Sequence, residues 1–215
     1  MINRFLKAKH WQLFLLLFAI PMVVQVSLMI VIIGQGISKA NPLPTVLLPY
    51  LKYFPALMII FWSIFLGWFW SIAIGLQEKI PSHINMKIKQ FKIFFFIPII
   101  YFSSLVLLFT SVLSSDLKSF EIVNTSIFGA YIMFFFMLHL FSMFCVFYSL
   151  FFVVKTIKTA ELKRETTFGD FTGDFFLLWF FPVGIWKIQP RINKLIEEDS
   201  FNTNDVNIFR IKRNS

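Results

Sequence analysis

Four long apolar runs constrain this chain more than any other feature. They cover about residues 12–33, 54–76, 93–113 and 127–154. At about 1.5 Å of helix per residue, each is long enough to cross a hydrocarbon layer about 30 Å thick. Within that layer the backbone must satisfy its own N–H and C=O groups, which makes each run a helix. The expected fold is an all-α integral membrane protein with four transmembrane helices. Composition agrees: 58% of the 215 residues are hydrophobic, 31 are Phe and 14% are charged, against about 25% charged in an ordinary soluble domain. Residues 1–199 read as a single polytopic membrane domain, and residues 200–215, Asn-rich and charged, as a flexible polar tail.

Arg4, Lys7 and Lys9 precede the first run as basic residues do in a secretory leader. The run exceeds the leader's usual apolar core of about 7–15 residues, so it reads as a retained span. Pro21 in the first run and Pro98 in the third each remove a backbone donor and predict a local departure from regular helix.

A fifth apolar stretch has a different character. Residues 168–194 read FGDFTGDFFLLWFFPVGIWKIQPRINK. The apolar part, Phe175 to Trp186, makes only about 18 Å of helix, too short to span. Pro182 and Gly184 interrupt it. Residues 175–196 are therefore expected to form a short re-entrant or interfacial helical segment, bending near Pro182 and Gly184 and staying on one side. Ile188, Ile192, Leu195 and Ile196 fall on one face, and Lys187, Arg191 and Lys194 are placed at headgroup level. Pro190 suits the first turn of a short helix there.

The formal charge of +9 resembles a nucleic-acid signal, but the basic residues flank apolar runs. Three Lys/Arg lie before span one, four in the 77–92 loop and four in the 155–164 stretch, against two (Lys39, Lys52) and one (Lys118) in the alternate loops. This bias puts both termini in the cytoplasm and makes anionic headgroups, not nucleic acid, the partner of the basic residues. Little Gly and Arg with much Phe, Ile, Lys and Asn points to an AT-rich genome and a bacterial inner membrane.

In span two, Ser63, Gly67, Ser71 and Gly75 recur every four residues and form a small-residue face for helix packing. The sequence leaves open whether the packed helix is internal, in another membrane subunit or in a second copy. His139 is the one ionisable residue well inside a span; it reads as a neutral imidazole hydrogen-bonded to another span, or else as a functional group. With Gln25, Asp170 and Asp174 it makes up the polar candidates. Thr172 or Asp174 is expected to cap a helix starting near Phe175, with a cation or headgroup contact as the alternative for the two aspartates.

Catalytic, cofactor-binding and metal-ligating residues are not assigned. The sequence has no Gly-rich phosphate loop, no His-Glu-x-x-His helix and no Cys/His cluster, and its single Cys145 excludes an intrachain disulfide. Gly169-Asp170 and Gly173-Asp174 lack the preceding glycine of the Gly-x-Gly-Asp motif of intramembrane aspartyl proteases, and no span holds a second aspartate. The function read from these features is non-enzymatic: an accessory or assembly subunit of a membrane complex. The alternative is a small oligomeric transporter or channel, with a polar path through Gln25, Ser103, Thr110 and His139. A lipid-modifying enzyme would require Asp170, Asp174, Lys187 and Arg191 to converge.

Overall fold

The computed structural model describes residues 2–39, 54–114 and 125–213, and all regular elements among them are helical. Helix α1 (Ile2–Leu6) is followed by a turn in which the Lys9 N–H donates to Gln12 Oε1 at 2.9 Å. Helix α2 (His10–Phe14) then passes through a π turn (Leu15–Ala19) into α3 (Ile20–Lys39). The π turn lies just before Pro21. Here the Ile20 N–H reaches back to the Leu15 carbonyl, five residues earlier, and a wider turn of this kind is a common way for a helix to absorb an irregularity. Helix α3 continues through Gly34 and Gly36 to Lys39, where the sequence predicted a loop from Gly34. The rest of that loop, with Pro42, Pro44 and Pro49, lies outside the described residues, as do Asp116, Lys118 and Glu121.

Helix α4 (Phe54–Gly75) ends in a 3-10 turn at Gln77–Lys79. Helix α5 (Ile88–Ser114) carries Pro98 within it. Helix α6 (Thr125–Leu162) outlasts its apolar run and stops where Lys163 takes a left-handed conformation (φ 53°), its N–H still bonded to the Thr159 carbonyl at 3.0 Å. Helices α7 (Phe168–Trp179) and α8 (Phe181–Arg213) follow. Four helical stretches are long and apolar enough to cross a membrane: His10–Gln35, Pro55–Lys79, Ile88–Ser111 and Tyr131–Leu162. The chain is thus an all-α protein with four candidate spans. Helix α8 runs to Arg213, through the stretch read as a flexible tail.

Within what reads as one membrane domain, the chain packs as two compact units. One comprises Met1–Met22, Phe61–Met86 and Leu150–Ser215; the other comprises Val23–Ile60 and Lys87–Ser149. In the first, the core gathers Leu6, Leu13 and Leu17 from the N-terminal segment, Trp68, Ile72 and Leu76 from span two, and Ile185, Ile188 and Ile192 from α8, all buried. In the second, α5 and α6 are antiparallel. Phe94 meets Tyr148 (4.6 Å between ring centres), and further along Tyr101 meets His139.

The small-residue face of span two is where α1 sits. A Cβ on Gly67 would lie 3.0 Å from the Phe5 ring, and one on Gly75 would lie 2.6 Å from Leu6 and 2.7 Å from Ile2. Ser71 is buried, with its hydroxyl donating to the Gly67 carbonyl at 2.6 Å; Ser63 is exposed. The helix meeting Gly67 and Gly75 is therefore the chain's own N-terminus.

Helices α7 and α8 form a tight antiparallel hairpin. The chain reverses at Phe180 (φ −85°, ψ 62°), two residues before the bend predicted at Pro182. Pro182 falls in the first turn of α8, where its missing N–H would have had no helical partner anyway. Gly184 makes no turn. It lets α8 lie against α7, because a Cβ there would overlap the Leu177 carbonyl oxygen and come within 2.9 Å of the carbonyl carbon. Pro190 lies inside α8 and does not open a new helix.

These contacts rank the glycines. Gly184→Ala meets backbone and should cost about 1–3 kcal/mol, as overpacking does. Gly75→Ala meets methyl groups that can shift and should cost less. Gly129→Ala, with nothing within 4 Å, should leave stability unchanged. Thermal unfolding of the three variants in detergent checks this order; Gly184→Ala as stable as Gly129→Ala would refute the close crossing.

Candidate functional site

The polar residues of the first unit collect at the base of the α7–α8 hairpin. Gln189 projects from the apolar face of α8, between Ile185, Ile188 and Ile192, and is fully buried. A buried amide must find partners or lose its hydration uncompensated. Its Oε1 accepts from the Trp68 indole N–H at 2.9 Å. Its Nε2 faces the carbonyls of Phe5 (3.1 Å), Leu6 (3.2 Å) and Ala8 (2.9 Å), together with Asn193 Oδ1 (2.9 Å). The Asn193 amide also donates to Ala8 O at 3.1 Å. The last carbonyls of a short helix have no partners within it. Here two side chains of α8 supply donors to the end of α1 and the turn after it.

Two residues further along α8, Arg191 is held between two carboxylates. Nε and Nη2 donate to Glu161 Oε1 and Oε2, both at 2.6 Å. Nη1 and Nη2 donate to Asp174 Oδ1 and Oδ2 at 2.6 and 2.8 Å. The planar guanidinium fork suits two such bidentate contacts, and a lysine would not reproduce them. Lys158 Nζ lies 3.6 Å from both Glu161 and Asp174, so two cations balance two anions. Burial by itself would raise the Asp174 carboxyl, but the hydrogen bonds and charge of Arg191, with the charge of Lys158, outweigh it and hold the group below its ordinary range. The Arg191 guanidinium is pushed further upward by its hydrogen bonds to Asp174 and then Glu161.

Asp170 has a different role. It accepts from the Thr167 backbone N–H (2.8 Å) and hydroxyl (3.0 Å), and from Arg164 at 2.7 and 3.3 Å. The Arg164 bond first, and those from Thr167 next, keep its carboxyl well below the usual range. Asp170 thus ties down the start of α7 at Phe168. The sequence predicted that Thr172 or Asp174 would cap a helix near Phe175. Instead the helix begins seven residues earlier, Thr172 returns its hydroxyl to the Phe168 carbonyl at 2.7 Å, and Asp174 serves Arg191.

The predicted headgroup residues divide. Lys187 and Lys194 are exposed, whereas Arg191 is partly buried and occupied by carboxylates. Of the four residues required to converge for a lipid-modifying site, Asp174 and Arg191 meet, Asp170 pairs with Arg164, and Lys187 is exposed on its own helix. In the second unit, His139 Nδ1 lies 3.2 Å from the Tyr101 hydroxyl, which supplies the cross-helix partner. Gln25, Ser103 and Thr110 are exposed, and the Thr110 hydroxyl donates back to the Leu107 carbonyl at 2.8 Å. The four residues of the predicted polar path are not gathered into one buried line. Among the described residues no three His, Cys, Asp or Glu are grouped to hold a metal.

Sequence reasoning missed Gln189, Asn193, Trp68, Glu161 and Lys158. One signal was present: Gln189 interrupts an otherwise apolar face, and a polar residue at a core position demands a partner. The identity of that partner was not encoded nearby. A scan against protein-family models finds no match, and searches of curated proteins and of solved structures find none either.

Two measurements test the site. Gln189→Leu takes the acceptor from the Trp68 N–H and the Gln189 donor from the Leu6 carbonyl, and should cost about 1–3 kcal/mol for each buried group stranded. Arg191→Gln should cost about 2 kcal/mol, between an exposed ion pair and a fully buried one. The pH response has a definite sign. A carboxyl held below its unfolded value of about 3.9 contributes fully above that pH and loses its contribution as pH falls through the folded value. Unfolding followed between neutral and acid pH should therefore show stability declining below about pH 4, and declining less steeply in Arg191→Gln. An identical acid limb in that variant would exclude the Asp174–Arg191 pair as a cause.

Proposed function

We propose that this protein is a non-enzymatic accessory or assembly subunit of a larger membrane complex, in a bacterial inner membrane with both termini cytoplasmic. The orientation is supported by charge and by contacts. The N-terminal segment, the 77–86 loop and the C-terminal helices belong to one compact unit. The Lys163 ammonium donates to the Lys79 carbonyl at 2.7 Å, and Gln189 holds residues of the N-terminal segment. Segments bonded to one another lie on one side of a bilayer, and these carry most of the Lys and Arg.

The observation that carries the subunit reading is the surface of α6. Tyr131, Ile132, Met133, Phe134, Phe136 and Met137 are all exposed, so apolar side chains point outward in every direction around the helix. Unbranched Met side chains among aromatic rings suit a surface that packs against another helix. The small-residue face of span two, the docking face suggested by sequence, is filled by α1 at Gly67 and Gly75. The docking role therefore moves to α6. The scattered polar residues of the second unit favour this reading over a transport path.

A photo-crosslinking residue at Phe134 or Met137 in intact cells should give the same discrete adduct with another membrane protein. The same residue at the exposed Ile93 of α5 serves as control. Adducts with lipid alone would overturn the subunit reading, and a self-adduct would favour the oligomeric transporter or channel. Reporter fusions at the N-terminus, after Met86 and at the C-terminus should all score as cytoplasmic.

A further inference from the structure

We infer that the tip of the α7–α8 hairpin is immersed in the acyl-chain region of the leaflet on the side of the termini, and ends near the bilayer mid-plane. This rests on the four-span reading and is independent of the subunit reading. The tip is apolar and unusually open: Phe176, Trp179, Phe180 and Val183 are all exposed, Phe180 at 63%. In water this would be a costly cluster at the end of a rigid hairpin. The packing of the hairpin shows what covers it.

At one level, the Trp186 ring lies 4.7 Å from His10 and 5.5 Å from Phe14, where span one begins. Lys187, next in sequence, is exposed at that level. Toward the tip, the Phe181 ring lies 6.3 Å from Phe18, 6.3 Å from Phe61 and 5.7 Å from Phe65. Phe18 is about 12 Å along its helix from His10, and Phe65 about 15 Å from the Gly75 end of α4. Both rulers put Phe181 about half-way through a hydrocarbon layer about 30 Å thick. Phe180 is at the reversal itself, so the hairpin stops at that depth. A surface continuous with the middle of two spans meets the same acyl chains as they do.

The reversal is built for that environment. Irregular backbone in hydrocarbon must satisfy its polar groups locally. The Phe180 N–H donates to the Phe176 carbonyl at 3.0 Å, and the Phe180 carbonyl accepts from Val183 at 3.0 Å and Gly184 at 3.1 Å. Pro182 brings no N–H that would need a partner. The charged groups, Asp174, Lys187 and Arg191, all lie at the base, and none is at the tip.

The test uses the full chain with Cys145→Ala and single cysteines at Phe180, Val183 or Lys187. Each is spin-labelled and reconstituted into vesicles of phosphatidylcholine and phosphatidylglycerol at high lipid-to-protein ratio. Labels at Phe180→Cys and Val183→Cys should collide readily with dissolved oxygen and poorly with a water-soluble nickel chelate, with the preference reversed at Lys187→Cys. The two tip positions are exposed, so either tolerates a label if the other does not. Access of the nickel chelate to the tip equal to that at Lys187→Cys would place the tip in water and overturn the inference. Poor access of both reagents at the tip would mean that protein, such as a second copy, covers it, and would overturn it as well.

Discussion

The first compact unit depends on the side-chain amide of Gln189. It is fully buried among the isoleucines of α8, and it joins three parts of the chain that are remote in sequence. Its oxygen accepts a hydrogen bond from the Trp68 N–H, 121 residues away, and its nitrogen faces the carbonyl of Phe5, 184 residues away. The amide can do this because α1 ends in carbonyls without helical partners. Once α1 is fixed at its end, its apolar residues Ile2, Phe5 and Leu6 are held over Gly67 and Gly75 of span two. The amide contributes direction more than strength. Each hydrogen bond is modest in net terms, but leaving the buried groups unpaired is costly, so alternative registers are disfavoured.

The Arg191 cluster does for the hairpin what Gln189 does for the N-terminus. Glu161 belongs to the extension of the fourth span, Asp174 to α7 and Arg191 to α8, so one guanidinium joins three helices. The group is electrically balanced and only partly buried, which limits its desolvation cost. Gly184 completes the hairpin by allowing backbone contact near the tip. Polar bonding at the base and close apolar contact toward the tip fit the immersion inferred for the hairpin, with its charged groups where water reaches.

This arrangement bears on function. The carboxylates with lowered proton affinity are occupied by arginines and act as fasteners. The unit that contains both termini holds the Gln189 and Arg191 networks. The second unit presents broad apolar surface on α6, and polar contacts between α5 and α6 include Tyr101 with His139 and Tyr148 with Gln90. Extensive apolar exposure on α6 suits a protein completed by neighbours in the membrane.

The sequence by itself determined the four candidate spans, the all-helical class, the shortness of the apolar run 175–186, and the bias of basic residues toward alternate loops. Each follows from hydrophobicity, length or charge along a continuous stretch, quantities that need no knowledge of neighbours. The small-residue face and the need of His139 for a partner were also legible, because helical periodicity shows which positions share a face. Only the tertiary structure decided what met them: α1 against Gly67 and Gly75, and Tyr101 beside His139. It also moved the hairpin turn from Pro182 to Phe180, since Gly184 was required for close approach and not for reversal. Asp174 became the partner of Arg191, and Asp170 the anchor of α7, for the same reason. A carboxylate's role depends on which cation and which N–H groups stand within about 3 Å, and those donors come from residues whose proximity exists only after the chain has folded.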